Sequence, residues 1–385
     1  MYMLEDIIKT KEYVEADFNK PGSRIIEVIR YTLRSDLTHR LVIQILSVIA
    51  ALLVGAVVIR FIGGSPFTAY KALIFGSMGN LKAIWETLVK ATPLILTGLS
   101  FAYASRAGLV NIGAEGQLYM GGFLATLVGT NFGWMPMIIH LPLTILSGFT
   151  GGGVWGLIVG WLKVKFGANE IITTVMFNYV AIYFISYLVT GPMIEPPGTY
   201  PQSRPILDSE ILPRFFYGSR LHWGLFIALA AVLAYYLFFR KLKVGYESRV
   251  VGKNIEAAKY AGMKPAKVMI LVMFIAGGMG GLAGANEILA IQGKLFQGFS
   301  PGYGFDGIAV ALVGMNSPVG IIFGGILFGA LRSGGNMMQM IAKIPISTIY
   351  IIQGLVIVFV IAGQMITVEN RKKLLGFLRR NNGSL

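Results

Sequence analysis

Long apolar runs set the first limit on what this chain can become. Several exceed 18 residues, the length that crosses a bilayer core as helix, and residues 41–62 carry a single charge, Arg60, near their end. Charged residues make up 13% of the chain, about half the share of an ordinary soluble domain. A buried soluble core would not need runs of this length. The pattern predicts an all-α polytopic membrane protein with about ten transmembrane helices. They fall near 41–63, 86–105, 111–131, 136–162, 170–190, 221–240, 268–290, 305–316, 318–334 and 346–363. The eighth is too short for a full crossing and is expected to be broken or re-entrant. Ten crossings put both termini on one side.

Basic residues choose that side, because Lys and Arg accumulate in cytoplasmic segments. Of 33 Lys and Arg, 23 lie in the N-terminal arm, the 106 and 163–165 turns, the 240–267 loop and the tail, whereas 7 lie in the opposite set. Both termini are therefore expected in the cytoplasm. The same distribution accounts for the net charge of +15 without a nucleic-acid partner. Residues 1–40 read as a cytoplasmic arm and 41–363 as the membrane domain. Within that domain 240–267 is a cytoplasmic loop and 191–220 an ordered extracytoplasmic loop with six prolines. Residues 364–385 form a basic tail. In the arm, Ile25, Ile26, Ile29, Leu33 and Leu37 recur at helical spacing beside Arg24, Arg30 and Arg34, which fits an interfacial helix on the anionic inner leaflet. A plain solvated helix is the alternative.

Several chemistries are excluded. Cysteine is absent and the three histidines are far apart, so neither a disulfide framework nor a metal site is expected. No G-x-S-x-G, H-E-x-x-H or phosphate-cradling G-x-x-x-x-G-K-[ST] occurs. The chain is expected to hold no cofactor, and if ATP drives it, another polypeptide binds the nucleotide. The 49 glycines cluster at 151–153 and 277–284, where spacings of four allow close helix packing in lipid. Polar residues within spans are costly and face the bundle interior or a wet path. Asn178 and Gln353 fall at mid-depth, Asn286, Glu287 and Asp306 near outer ends, and Glu115 and Glu170 near inner ends. Neutral amides at mid-depth suit a neutral polar solute better than a proton relay. Asn178, Tyr179, Asn286, Asp306 and Gln353 are the candidate pathway residues, with packing hydrogen bonds as the bland alternative.

The 240–267 loop contains Glu256-Ala257-Ala258-Lys259-Tyr260-Ala261-Gly262. Asn254 is placed to cap a short helix, Glu256 falls in its first turn, and Gly262 and Pro265 end it. Ala257, Ala258 and Ala261 are expected to keep its surface small, so that another protein can approach. This E-A-A-x-x-x-G spacing resembles the coupling segment of permease subunits in ATP-binding-cassette importers, though no I-x-L-P ending follows the glycine. Three further stretches, 108–118 (GLVNIGAEGQL), 169–179 (NEIITTVMFNY) and 304–314 (GFDGIAVALVG), together with Ile344-Pro345 and Ile352-Gln353-Gly354-Leu355, resemble importer permeases for simple sugars, nucleosides and branched-chain amino acids. The likeness covers roughly 85–363 and is nearest to the longer permease subunit of nucleoside importers.

That resemblance implies a permease of the bacterial cell membrane working by alternating access. It implies a cytoplasmic ATPase partner, a second permease chain, the same or related, and an extracytoplasmic substrate-binding lipoprotein. The segment Asn254, Glu256, Ala257, Ala258 and Gly262 would couple to the ATPase. The substrate expected is a nucleoside, with a simple sugar as alternative. An ion-coupled secondary transporter, or a channel or structural membrane anchor, stays open as a reading from another class.

Overall fold

A computed structural model describes residues 36–363 apart from 217 and 346, with side chains from 43 onward. The tail lies outside the described residues, as does the arm up to 35; residues 36–40 open the first helix. Regular structure among the described residues is helical throughout, with two isolated β-bridges in loops, Gln202 with Phe296 and Arg214 with His222. We number the helices α1 (Asp36–Phe61), α2 (Pro66–Met78), α3 (Leu81–Arg106), α4 (Ala114–Asn131), α5 (Met137–Phe166), α6 (Glu170–Thr190), α7 (Gly224–Lys241), α8 (Lys243–Lys253), α9 (Ile255–Tyr260), α10 (Pro265–Glu287), α11 (Tyr303–Val313), α12 (Pro318–Ala342) and α13 (Ser347–Gly363). Seven of them, α1, α3, α5, α6, α7, α10 (with its extension to Gln292) and α12, are long and apolar enough to cross a membrane. The other three predicted spans are helical too: α4, with 18 residues, and the shorter α11 and α13. Residues 53–357 form one compact unit.

Glycine decides how its centre packs. On α10, Gly277, Gly281 and Ala285 face Gly148, Gly152 and Gly156 of α5 in matching steps of four. A Cβ on Gly281 would run into the backbone of Gly148 and Gly152, and one on Gly121 of α4 would run into Gly281. Three helices therefore cross with their backbones in contact, the close-packing role expected of the glycine clusters.

Two segments of irregular backbone enter the bundle. Residues 107–113 follow α3 and turn back along it. Asn111 reaches Ser100, about two turns short of the end of α3. From the other end of the bundle, 293–302 leads into α11, whose first residue, Tyr303, accepts through its carbonyl from Thr97 at 3.0 Å. The expectation of a short, broken eighth span is met here: α11 has 11 residues, about 16 Å of helix.

Two elements differ from expectation. Helix α2 was not foreseen. Its 13 residues are too few to span, and it is held against α12 by Gly76 and Gly334, with Ser333 donating to the Gly76 carbonyl at 3.1 Å. The 240–267 segment holds a helix, α8, ahead of the short helix expected after Asn254. In α8, Gly245, Ser248 and Val251 are buried, and Gly252 lies against the backbone of Arg106 to Gly108. The proline-rich loop is tied to the rest of the bundle through its backbone. Backbone bonds join Ser203 to Leu295 (2.7 Å), Ile206 to Gly293 (2.8 Å), Leu207 to Gly129 (3.1 Å) and Leu212 to Leu289 (2.9 Å).

Sidedness has a direct test in this cysteine-free chain. Thr199, exposed on the proline-rich loop, and Lys253, exposed at the end of α8, are the sites to replace by cysteine. T199C should react with an impermeant maleimide in sealed cells, and K253C only after permeabilisation. Equal reactivity from outside rejects the cytoplasmic assignment of the 240–267 segment.

Candidate functional site

The three signature stretches meet where the irregular segments end. Asn111 and Gln117 pair amide to amide, at 2.9 and 3.1 Å, and Ser100 joins both. The Asn111 oxygen also receives the Gly113 N–H at 3.0 Å. Glu115, buried on the first turn of α4, accepts from the Gly304 N–H at 2.7 Å. Gly304 is needed there, because a Cβ would strike the Glu115 backbone. Asn178 of α6 accepts from Gly116 N–H at 2.7 Å and donates to the Ile112 carbonyl at 2.9 Å. Buried polar groups are stable when paired in this way. The spacing of the motifs thus serves a hub joining α3, α4, α6 and α11.

The pathway candidates do not gather at one point. Asn178 is buried, with its carboxamide committed to backbone. Tyr179 points outward from the same helix, half exposed. Asp306 pairs with Arg332 of α12 at 2.8 Å, and Arg332 also donates to the Pro301 carbonyl at 3.0 Å and lies 4.8 Å from the Tyr303 ring centre. Gln353 and Asn286 are buried, and neither carboxamide has a hydrogen-bond partner among the described residues. Residues that sequence reasoning passed over include Arg332, whose signal was a lone charge inside a predicted span. The buried pair His140–Glu210, at 2.7 Å, gave no such signal, since it unites α5 with the proline-rich loop 70 residues away. Burial raises the Glu210 carboxyl above its usual range, while His140 and Thr144 oppose the shift.

At the opposite end of the bundle, α9 has the local form its sequence predicted. Asn254 accepts from the Ala257 N–H at 3.0 Å, Glu256 pairs with Lys259 at 2.8 Å, and Gly262 takes φ +75°. Its N–H reaches the Lys259 carbonyl and the Met263 N–H reaches that of Ala258, which closes the C-terminus. The expected small surface needs one correction. Ala257 and Ala261 are exposed, but Ala258 is fully buried against the chain itself, because α9 packs on α8 and the start of α10. Tyr260, 97% exposed, is the group that projects.

Comparison with known proteins gives this architecture a family. Residues 83–361 match the family described as "Branched-chain amino acid transport system / permease component". The chain belongs to this permease family. The permease is 37% identical to the glucose ABC transporter permease protein TsgB13 of Haloferax volcanii over 88% of its own length and 91% of the relative's. It is 38% identical to the guanosine ABC transporter permease protein NupP of Bacillus subtilis, over 84% and 93%. It is 33% identical to the nucleoside ABC transporter permease protein NupB of Lactococcus lactis, over 77% and 84%. No solved structure matches the permease. It is a multi-pass membrane protein and the permease subunit of an ATP-binding-cassette importer, a transport component rather than an enzyme. The ion-coupled, channel and anchor alternatives give way to this assignment.

Proposed function

We propose that the permease carries nucleosides into the cell by alternating access. One observation carries the substrate reading: two of the candidate pathway residues keep neutral carboxamides open in its interior. Asn286 and Gln353 are buried carboxamides without partners among the described residues, whereas Glu115 is taken up by Gly304 and Asp306 by Arg332. A carboxamide offers both a donor and an acceptor, which suits hydroxyls and base edges. Two of the three relatives named above are nucleoside or guanosine permeases.

In this reading a binding lipoprotein delivers the solute to the face that carries the proline-rich loop. This chain and a second permease chain, the same or related, enclose the path. An ATPase docks on α9 through the exposed faces of Ala257, Ala261 and Tyr260, and Asn254, Glu256 and Gly262 fix the shape of that helix. Nucleotide binding in the partner rocks the bundle, which a ligand shifts only by binding its states unequally. Tyr179 offers a ring face on the outside of α6. Asn178 joins the path by exchanging its bonds to Gly116 and Ile112 for bonds to solute. Asp306 does so by releasing Arg332.

The glucose permease among the relatives favours a second reading, in which the solute is a simple sugar. Uptake into proteoliposomes holding the complete complex separates the two. Guanosine is expected to accumulate only with ATP inside the ATPase-facing compartment, and a hundredfold excess of glucose should leave its rate unchanged. ATP-dependent glucose uptake without guanosine uptake would replace the nucleoside reading by the sugar one.

A further inference from the structure

At the end of α10 next to the proline-rich loop, two adjacent buried residues hold three hydrogen-bonding atoms that have no partner among the described residues. Asn286, on the last turn before a π-helical stretch (Ile288–Gln292), has neither carboxamide atom bonded. His222, fully buried where the loop enters α7, receives the Gly224 N–H on Nδ1 at 3.1 Å and has no partner for Nε2. The two residues are neighbours. A Cβ on Gly224 would collide with the Asn286 oxygen and come within 2.6 Å of His222 Nδ1. Since Nδ1 accepts, Nε2 carries the ring proton and donates. The imidazole is neutral, because burial, reinforced by Arg214 and Arg220, lowers its pKa to about 4.

Each such atom costs free energy while unpaired, and three on two neighbouring residues are not explained by packing. The seam they line is thin. Helix α7 packs chiefly on α3 and α8 and touches α10 little, so its first turn can part from α10 without opening the glycine-packed centre. The π-turn beside Asn286 marks a local irregularity of the kind found at functional positions.

We infer that Asn286 and His222 form a subsite that reads the hydroxyls of the solute's sugar ring when the seam opens, Asn286 accepting and donating and His222 donating through Nε2. Gly224 is the positioning residue that lets α7 close over it. This rests on the transport reading above, but not on the choice between nucleoside and free sugar, since vicinal hydroxyls belong to both.

The test uses the complete complex in proteoliposomes, with guanosine, 2′,3′-dideoxyguanosine, glucose and 2,3-dideoxyglucose as probes. The wild type should favour the hydroxylated partner of whichever pair it transports. Asn286→Leu and His222→Phe should each raise KM for the hydroxylated solute about tenfold or more and leave KM for the dideoxy solute unchanged. His222→Gln, which restores an N–H donor, should recover most of the preference. Asn286→Asp, close in shape but without the amide donor, should also lose preference and decides the matter if Asn286→Leu does not assemble. Preference for guanosine that collapses in the variants supports both readings. Collapse seen with glucose alone supports the subsite and removes the nucleoside assignment. Equal losses for hydroxylated and dideoxy solutes, unchanged preference in the variants, or a wild type that transports neither pair overturns the subsite.

Discussion

Gly281→Leu is expected to abolish accumulation of the folded permease in the membrane. The glycine faces Gly121 of α4 on one side and Gly148 and Gly152 of α5 on the other. The three atoms nearest a Cβ there are all backbone, so no rotamer change of a neighbour makes room for it. Overpacking of a core that can adjust costs about 1–3 kcal/mol. Here three helices would have to separate, which puts the cost above that range and within reach of the whole stability of a domain. Gly354 is the control. A Cβ on it has nothing within 4 Å, and Gly354→Ala improves helix propensity by up to about 1 kcal/mol. Detergent-extracted yield and the midpoint of thermal unfolding read both variants. Normal yield for Gly281→Leu would mean that the three backbones do not touch in the membrane.

The second large effect is on coupling. Ala257→Arg should leave a folded complex that has lost its ATPase, because the new charge stands on the exposed face of α9. Loss of about 2 kcal/mol or more at a docking surface is roughly thirtyfold in affinity. Ala258→Arg should do something different. It buries a charge between α9, α8 and α10 and so damages the corner itself, with low yield as the first symptom. Glu256→Ala should be mild, since its contact with Lys259 is exposed and first-turn acids contribute about 1 kcal/mol or less. Co-purification of the ATPase and ATP-dependent uptake measure all three. If Ala257→Arg retains both, α9 is not where the ATPase docks.

Much of this fold is legible in the sequence for reasons that are local. Apolar runs, glycines four apart and the Asn254–Gly262 caps depend on residues close along the chain. The shortness of α11 can be read from the distance between Gly304 and Gly314. What escaped depends on distant partners. Nothing near Ala258 says which side of a six-residue helix will be covered. Asn178 looks like a free amide until Gly116 and Ile112 are brought to it from 62 and 66 residues away. Helix α2 was missed because it is shorter than a span and owes its place to α12. His222 and Asn286 share nothing in sequence, and only the start of α7 brings them together.

The half-length of α11 bears on how the chain is made. Eleven apolar residues cannot hold a position across a bilayer alone, and lipid does not tolerate unpaired backbone beside them. The first turn of α11 is pinned to Glu115 and Thr97, residues synthesised some 200 positions earlier. The segment 107–113 is under the same constraint, because its open backbone must wait for Asn178 of α6 to reach the Ile112 carbonyl and for Gly252 of α8 to cover Gly108. Membrane insertion therefore cannot be completed two helices at a time in order of synthesis. The early helices must remain loosely associated, and near the exit site, until the last third of the chain arrives to close the bundle.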